Sequence, residues 1–320
     1  MQVTILGTGA FGLALGNLLH EKSKAIVKFW TAFDKEYLEI TTNNTYDRVL
    51  TGIKLASDLD VTMDLGEALI NSDLIIVAVP CNHIREVLMR IERYLTDNSR
   101  VILVSKGLEK NTDLLMTEIY EELNLKGYVS YLAGPSFAKE LIINSKAGLT
   151  LATKDDKTKE LMIMLFKDTN VEIEVIDDYI GLELYGVIKN VLAILMGSIN
   201  SKYQGDSTNA YYLTKVYNLA KDIVIKLGGD EQTSTCYGAL GDILLTCNSR
   251  TSRNYSYGAL LYTNKNEANV YKKHYTVEGS IAINSLSKLL EKNNQTSPFI
   301  EKLTEYFNGS INLDEILELF

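Results

Sequence analysis

Two charged side chains stand where charge is costly. Lys189 lies in the run "ELYGVIKNVLAILMG", Glu183 to Gly197, beside Asn190, and Val187, Ile188, Val191, Leu192, Ile194 and Leu195 leave no polar stripe on a helical wheel. Asp242 presents the same oddity in "GALGDILLTC". A lysine can escape burial by running its stem to the surface. Opposite charges on two apolar helices have a second solution, which is to meet, and such a pair in a cleft is a candidate functional site. An ammonium beside a carbonyl oxygen can supply a proton and stabilise the growing alkoxide when hydride adds to carbon.

A second group of residues suits phosphate and dinucleotide binding. "GTGAFG" places Gly7, Gly9 and Gly12 after an apolar strand and at the opening of a helix. Glycines there permit the tight turn, the approach of backbone to pyrophosphate and the packing of helix on strand, while the helix start attracts the anion. Two further turns follow apolar strands. "RVILVSKGLE" sets Lys106 at one, and "YVSYLAGPSFAKE" sets Gly134, Pro135 and Ser136 at the other. Ligands of open α/β sheets bind outside the carboxyl ends of strands, which puts both turns at the expected cofactor crevice. Past Asp242, a polar loop offers Arg253 and Asn254, and a guanidinium fork suits a phosphate.

These residues need a scaffold of two kinds. Up to about residue 178, the segments "VTILG", "AIVKFW", "DLIIVAVP", "RVILVSKG", "YVSYLAGPS", "GLTLAT" and "VEIEVI" alternate with helical patterns. Strands apolar throughout and separated by helices predict a parallel sheet covered on both faces. Beyond that point the strand signal stops, and "GLELYGVIKNVLAILMG", "LTKVYNLAKDIVIKLGG" and "TVEGSIAINSLSKLLEK" predict helices. The expected fold is an α/β Rossmann-type, mostly parallel domain over 1–178 followed by an all-α domain over 179–320 that carries substrate binding and catalysis.

Composition excludes several classes. The 320 residues are 46% hydrophobic and 23% charged, enough for two cores. A net charge of −9 and a pI near 5.0 argue against nucleic acid or an anionic membrane as the main partner. Cys81, Cys236 and Cys247 form no C-x-x-C, and His20, His83 and His274 lack ligand spacing, so neither a disulfide framework nor a metal is expected. No basic residue precedes the first apolar stretch, and no apolar run approaches the roughly 20 residues of a membrane span, so the expected compartment is the cytoplasm.

In order along the chain, "GTGAFG", "SKGLE", "GPSFAKE", "VIKNV", "LGDILLTCNSRTSRN" and "VEG" resemble the NAD(P)-dependent glycerol-3-phosphate dehydrogenases of bacteria. "GPSFAKE" and G-D-x-x-x-T-C followed by S-R-N are more specific than the glycine motif, since other dinucleotide enzymes have no need of them. The resemblance implies interconversion of dihydroxyacetone phosphate and sn-glycerol 3-phosphate by a cytoplasmic homodimer, with glycerol 3-phosphate going to phospholipid synthesis. It makes Lys189 the proton donor or acceptor, with Asp242 and Lys106 as catalytic companions. It implies substrate contacts at Lys106, Gly134, Ser136, Lys189, Asp242, Ser252, Arg253 and Asn254. It implies cofactor contacts at Gly7, Gly9, Ala10, Phe11, Gly12, Lys106, Ala138, Arg253, Val277 and Glu278, with NAD(H) or NADP(H) as cofactor and no metal. Lys106, Lys189 and Arg253 against Asp242 give the expected site a positive balance inside an acidic protein, which suits a dianionic substrate.

The chain departs from the family at three places. Ala10-Phe11 stands where many bacterial relatives have Ser-Trp. After "AIVKFW" come Thr31, Ala32 and Phe33 before Asp34 and Lys35, where relatives commonly carry arginine or histidine. The acidic residue that reads the ribose is therefore not evident, and the missing arginine favours NAD. In "SKYQGDSTNAYY", Ser207 replaces an asparagine and Tyr211 and Tyr212 replace small residues. The same two-part architecture also serves 3-hydroxyacid dehydrogenases and ketopantoate-type reductases, which would not need the S-R-N anchor, and a non-catalytic dinucleotide sensor would not need Lys189 with Asp242.

Overall fold

The computed structural model describes residues 1–143 and 145–320. The chain divides into two compact units, one of Met1–Glu109 with Met116–Tyr179, the other of Lys110–Leu115 with Ile180–Phe320. A division at 178/179 puts Lys110–Leu115 with the sheet domain, whereas its contacts put it with the helices. Asp113 in that segment lies 3.8 Å from the Lys288 ammonium.

The first unit is built on an eight-stranded sheet. Its strands are β1 (Gln2–Leu6), β2 (Ile26–Trp30), β3 (Asp60–Thr62), β4 (Leu74–Val77), β5 (Arg100–Leu103), β6 (Tyr128–Ala133), β7 (Ala147–Ala152) and β8 (Val171–Ile176). They lie in the order β3-β2-β1-β4-β5-β6-β7-β8, and every neighbouring pair is parallel except β6 with β7. Seven of the eight coincide with the apolar runs read from the sequence. β3 does not, because its three residues sit in the polar stretch "SDLDVTMD", too short for a period to emerge.

The chain starts at β1 and builds outward in both directions, so strand order reverses between β1 and β4. That reversal opens a crevice at the strands' carboxyl ends. Register aligns the ends there: Leu6 pairs with both Trp30 and Val77. The Gly7 amide donates to the Trp30 carbonyl at 2.9 Å, and the Ala78 amide donates to Leu6 at 2.8 Å. Val3, Ile5, Leu13, Leu15, Phe29 and Ile76 fill the core beneath, so the turn after β1 rests on a rigid floor.

The second unit, among the described residues, is helical. Its central helix, Tyr179–Lys202, is buried from Gly181 to Ile199. Contrary to the expectation from sequence, this helix is long and apolar enough to span a bilayer by length and composition, yet it is almost wholly buried inside the protein. Its apolar surface faces the protein's own interior, which is why every direction of its wheel is apolar. Against it lies the helix Arg253–Thr263, and the two cross closely. A Cβ at Gly258 would overlap the Ile194 carbonyl, one at Gly197 would overlap the Tyr255 carbonyl, and Ser198 Oγ donates to the Gly258 carbonyl at 2.8 Å. The crossing brings Asn254 beside Asn190, one and two turns away from the contact.

Tyr211 and Tyr212 belong to an aromatic cluster. Tyr212 stacks on Tyr203 at 5.8 Å, meets Tyr211 edge-on at 5.0 Å and touches Phe320 at 5.8 Å. Elsewhere, tyrosine hydroxyls satisfy backbone carbonyls, as Tyr217 does for Ser234.

Candidate active site

The buried charges of the second unit meet at Lys189. Its Nζ donates to Asp242 Oδ1 at 2.8 Å and to Thr246 Oγ1 at 3.2 Å, with the lysine side chain 10% exposed and the aspartate 3%. The two charges of the apolar helices therefore do meet, and the lysine does not run to the surface. Asp242 opens the helix Asp242–Asn248, directly after a π turn over Tyr237–Gly241, and Thr246 lies one turn along the same face. Burial pushes the Cys247 thiol well up, an effect that Lys189 offsets only in part, so the sulfur beside the pair stays protonated and adds no charge.

A polar chain holds the residue next to Lys189. Glu278 can only accept, so Asn190 turns its Nδ2 to Glu278 Oε2 at 3.0 Å, leaving its oxygen for Asn254 Nδ2 at 3.0 Å. The Asn254 oxygen in turn accepts from the Gly279 amide at 2.9 Å. Three helices are thus tied through two buried asparagines, each in a single orientation. Thr246 and Asn190 carry no expected role from sequence. The visible signals were the i, i+4 spacing of Asp242 and Thr246, and an amide among aliphatics.

Ser252 caps the helix Arg253–Thr263, its Oγ accepting from the Tyr255 amide at 3.3 Å. Arg253 is exposed at the first position and makes no ion pair among the described residues. A cation on a helix's amino end is unfavourable by the helix dipole alone and becomes favourable when an anion joins it. Val277 is buried, while Glu278 is exposed and engaged with Asn190.

In the first unit the glycine turn leads into the helix Ala10–Lys22, whose N-cap is Gly9, with no side-chain cap and no acidic residue in the first turn. Gly7 has a φ of 111°, and a Cβ there would sit 2.8 Å from the Ala78 carbonyl oxygen. Gly12 faces the Gly7 carbonyl at 2.6 Å from such a Cβ. Gly9 differs: its nearest neighbour would be 3.7 Å away, so the fold itself leaves room. A backbone kept bare without internal need, at an uncapped helix start, fits a pyrophosphate. Ala10 and Phe11 are half-buried against the core beside the turn.

Lys106 Nζ reaches the Gly134 carbonyl at 3.5 Å. Gly134 owes its bareness to the neighbouring strand, because a Cβ would lie 2.5 Å from the Gly148 carbonyl. Ser136 Oγ is buried and has no partner among the described residues, which marks a polar atom available to a ligand. Ala138 starts the short helix Ala138–Ile142 that lies against the helix Ala10–Lys22. No group of three or more metal-ligating side chains occurs among the described residues.

Residues 2–159 match the N-terminal part of NAD-dependent glycerol-3-phosphate dehydrogenase, and residues 178–318 match its C-terminal part. The glycerol-3-phosphate dehydrogenase [NAD(P)+] of Staphylococcus epidermidis is 30% identical over 95% of this chain and 92% of its own length. That of Parvibaculum lavamentivorans is 30% identical over 98% and 94%. The crystal structure of the Coxiella burnetii enzyme superposes with a TM-score of 0.88 at 26% identity, covering 99% of this chain and 98% of that one. A probable 2-dehydropantoate 2-reductase of Bacillus subtilis shares the fold alone, with a TM-score of 0.60 at 14% identity over 97% and 99%. With both matched parts in order and the buried lysine, aspartate and bare glycine turn in place, this chain belongs to the NAD-dependent glycerol-3-phosphate dehydrogenase family, the oxidoreductases that reduce dihydroxyacetone phosphate to glycerol 3-phosphate.

Proposed function

We propose that Lys189 is the acid in ketone reduction and the base in alcohol oxidation, with Asp242 and Thr246 as its positioning residues. The observation that carries this reading is the 2.8 Å contact of a buried ammonium with a buried carboxylate. Gly7, Gly9, Ala10, Phe11 and Gly12 would hold the dinucleotide, which when bound would supply or accept the hydride. Lys189 gives its proton to the carbonyl oxygen of dihydroxyacetone phosphate as that oxygen gains charge. Asp242 accepts from Nζ throughout and keeps the ammonium aimed, and Thr246 fixes a second Nζ hydrogen. In the reverse direction neutral Lys189 takes the proton of the substrate hydroxyl.

Arg253 is the phosphate anchor, aided by the amides at the start of its helix. Ser252 and Asn254 serve it differently, the first as that helix's cap and the second by orienting Asn190. Lys106 and the orphan hydroxyl of Ser136 are further substrate contacts, Gly134 presents its carbonyl to Lys106, and Lys106, Ala138, Arg253, Val277 and Glu278 complete the cofactor contacts. We read the protein as a cytoplasmic homodimer whose partner is a phosphorylated triose rather than nucleic acid or membrane, feeding phospholipid synthesis. The sheet domain, 1–178, carries the cofactor and the helical domain, 179–320, the catalytic lysine.

Spectrophotometry of NADH oxidation by dihydroxyacetone phosphate, against dihydroxyacetone, tests the reading. The phosphorylated ketone should be much the better substrate, and Arg253→Ala should cost about 2–3 kcal/mol of transition-state stabilisation through loss of a charge-assisted contact. Equal kcat/KM for the two ketones would remove Arg253 from its role.

A further inference from the structure

The fold brings an acidic residue to the end of the second strand, where the sequence shows none. It is Glu36, in the first turn of the helix Asp34–Asn43, and its carboxylate turns back to the junction of β2 with the glycine turn. Oε2 accepts from Thr31 Oγ1 at 2.7 Å and from Thr8 Oγ1, the residue between Gly7 and Gly9, while Oε1 accepts from the Tyr46 hydroxyl at 2.9 Å. All three donors are buried. Burial first, and the carboxylate second, push the Tyr46 pKa up, so its hydroxyl stays a donor.

This arrangement is neutral in its partners and anionic in total. Oε2 has both acceptor sites filled, whereas Oε1 accepts one hydrogen bond and keeps one site open. Beside it, Ala32 and Phe33 are exposed and offer no cation, and Asp34 adds a second exposed negative charge. Lys35 is 3.8 Å from Glu39, and the cation beside the cluster, the exposed Arg48, reaches the Tyr46 hydroxyl by hydrogen bond and by charge but forms no ion pair with Glu36 among the described residues. In sheets of this topology the adenosine ribose lies at the end of β2, next to the glycine turn, where its 2′ substituent is read.

We infer that Glu36 selects NAD(H) against NADP(H), because its open acceptor site suits a ribose 2′-hydroxyl and its negative charge, which no cation pairs directly among the described residues, repels a 2′-phosphate. The inference rests on the proposed dinucleotide role of the glycine turn. A hydroxyl can donate to Oε1. A phosphate dianion has no hydrogen to donate and meets like charge instead. The brace to Thr8 gives Glu36 a second consequence: the residue that reads the ribose also holds the turn that receives the pyrophosphate.

Titration of the full chain with NADH and with NADPH, followed by nicotinamide fluorescence, tests this without any turnover. The parent should bind NADH at least about tenfold tighter. Glu36→Gln keeps the length and most hydrogen bonds while removing the charge, and should narrow the ratio to about threefold or less by a gain in NADPH affinity. Arg48→Ala should leave the ratio unchanged. Equal or tighter NADPH binding by the parent overturns the inference whatever the variants do. So does an unchanged ratio in Glu36→Gln, or a selective loss of NADPH binding in Arg48→Ala, which would assign the phosphate to that guanidinium. Binding of neither nucleotide would overturn the dinucleotide reading of the turn together with the selection. Selective NADH binding without reduction of dihydroxyacetone phosphate would leave the selection standing and remove the proposed substrate roles.

Discussion

The glycine turn of the first unit and the lysine centre of the second solve opposite problems. At the turn, Gly7 and Gly12 are bare because backbone lies against them, and Gly9 is bare with open space in front. The binding proposed there would use backbone amides and the absence of side chains, so it would be cheap in desolvation and general in chemistry. At Lys189 the protein keeps a charge in an apolar helix and must surround it with Asp242 and Thr246 to hold it. The catalysis proposed there would depend on particular atoms, and burial makes each partner's loss expensive. A binding motif made of backbone is transferable among many enzymes, whereas a buried charge pair is tied to the particular helices that bury it.

The sharpest way to break that contrast is Lys189→Met. Loss of a positioned acid costs about 10² to 10⁴ in rate, and loss of the charge beside the developing alkoxide adds to it. Stability should also fall, by about 3–5 kcal/mol, because the Asp242 carboxylate remains buried without its ammonium. Adding Asp242→Asn removes that stranded charge. The double variant should regain melting temperature and remain inactive, and NADH affinity should change little in either. Near-normal turnover in Lys189→Met would end the proposed mechanism, and an unrecovered melting temperature in the double variant would show that the pair does more for the helices than neutralise itself.

The turn should respond in the reverse pattern, with binding lost and folding kept. Gly9→Val meets no backbone within 3.7 Å of its Cβ, and Gly9 has a φ of −66° that a valine can adopt. NADH affinity should drop by about tenfold or more, since the side chain occupies the pyrophosphate's approach. Gly7→Ala is the contrasting variant. Its φ of 111° and the Ala78 carbonyl 2.8 Å from the new Cβ put the cost on folding, about 1–3 kcal/mol. Fluorescence titration and thermal melts on the two variants separate the roles; equal NADH affinity in parent and Gly9→Val would move the pyrophosphate elsewhere.

The same contrast explains what could be read from the sequence. The glycine spacing and seven apolar runs were legible because period and glycine geometry are local properties, and β3 was not because three residues carry no period. Lys189 and Asp242 were legible as anomalies, each a charge without a polar stripe, although their 2.8 Å contact spans 53 residues. Glu36 escaped for the converse reason. A glutamate in a polar first helical turn looks ordinary, and only the bend of the chain after β2 returns it to Thr8 and Thr31. Asn190 stands out as an amide among aliphatics but its role is not legible locally, since its partners Asn254 and Glu278 come from 64 and 88 residues away.

The smallest expected effect comes from a charge pair that resembles Lys189 with Asp242 and lies outside the proposed chemistry. Asp155 accepts from Arg100 Nε at 2.9 Å, and it caps the helix Asp156–Phe166 through the Thr158 amide at 2.8 Å and hydroxyl at 2.7 Å. Burial pushes its pKa up, but the Thr158 hydrogen bonds and the Arg100 guanidinium outweigh burial and leave it below the ordinary value. A depressed carboxylate contributes stability that is complete above the unfolded pKa and disappears as pH falls through the folded one. Asp155→Ala should therefore lower stability by about 1 kcal/mol at pH 7, the usual worth of a cap, and the difference from the parent should shrink below about pH 4. The kcat/KM for dihydroxyacetone phosphate should not move. Melting curves of parent and variant between pH 7 and pH 3, with an assay at pH 7, check both halves. A loss of turnover comparable to that of Lys189→Met would mean that the first unit, too, carries its function in a charged side-chain cluster, and the division between a backbone site and a side-chain site would fail.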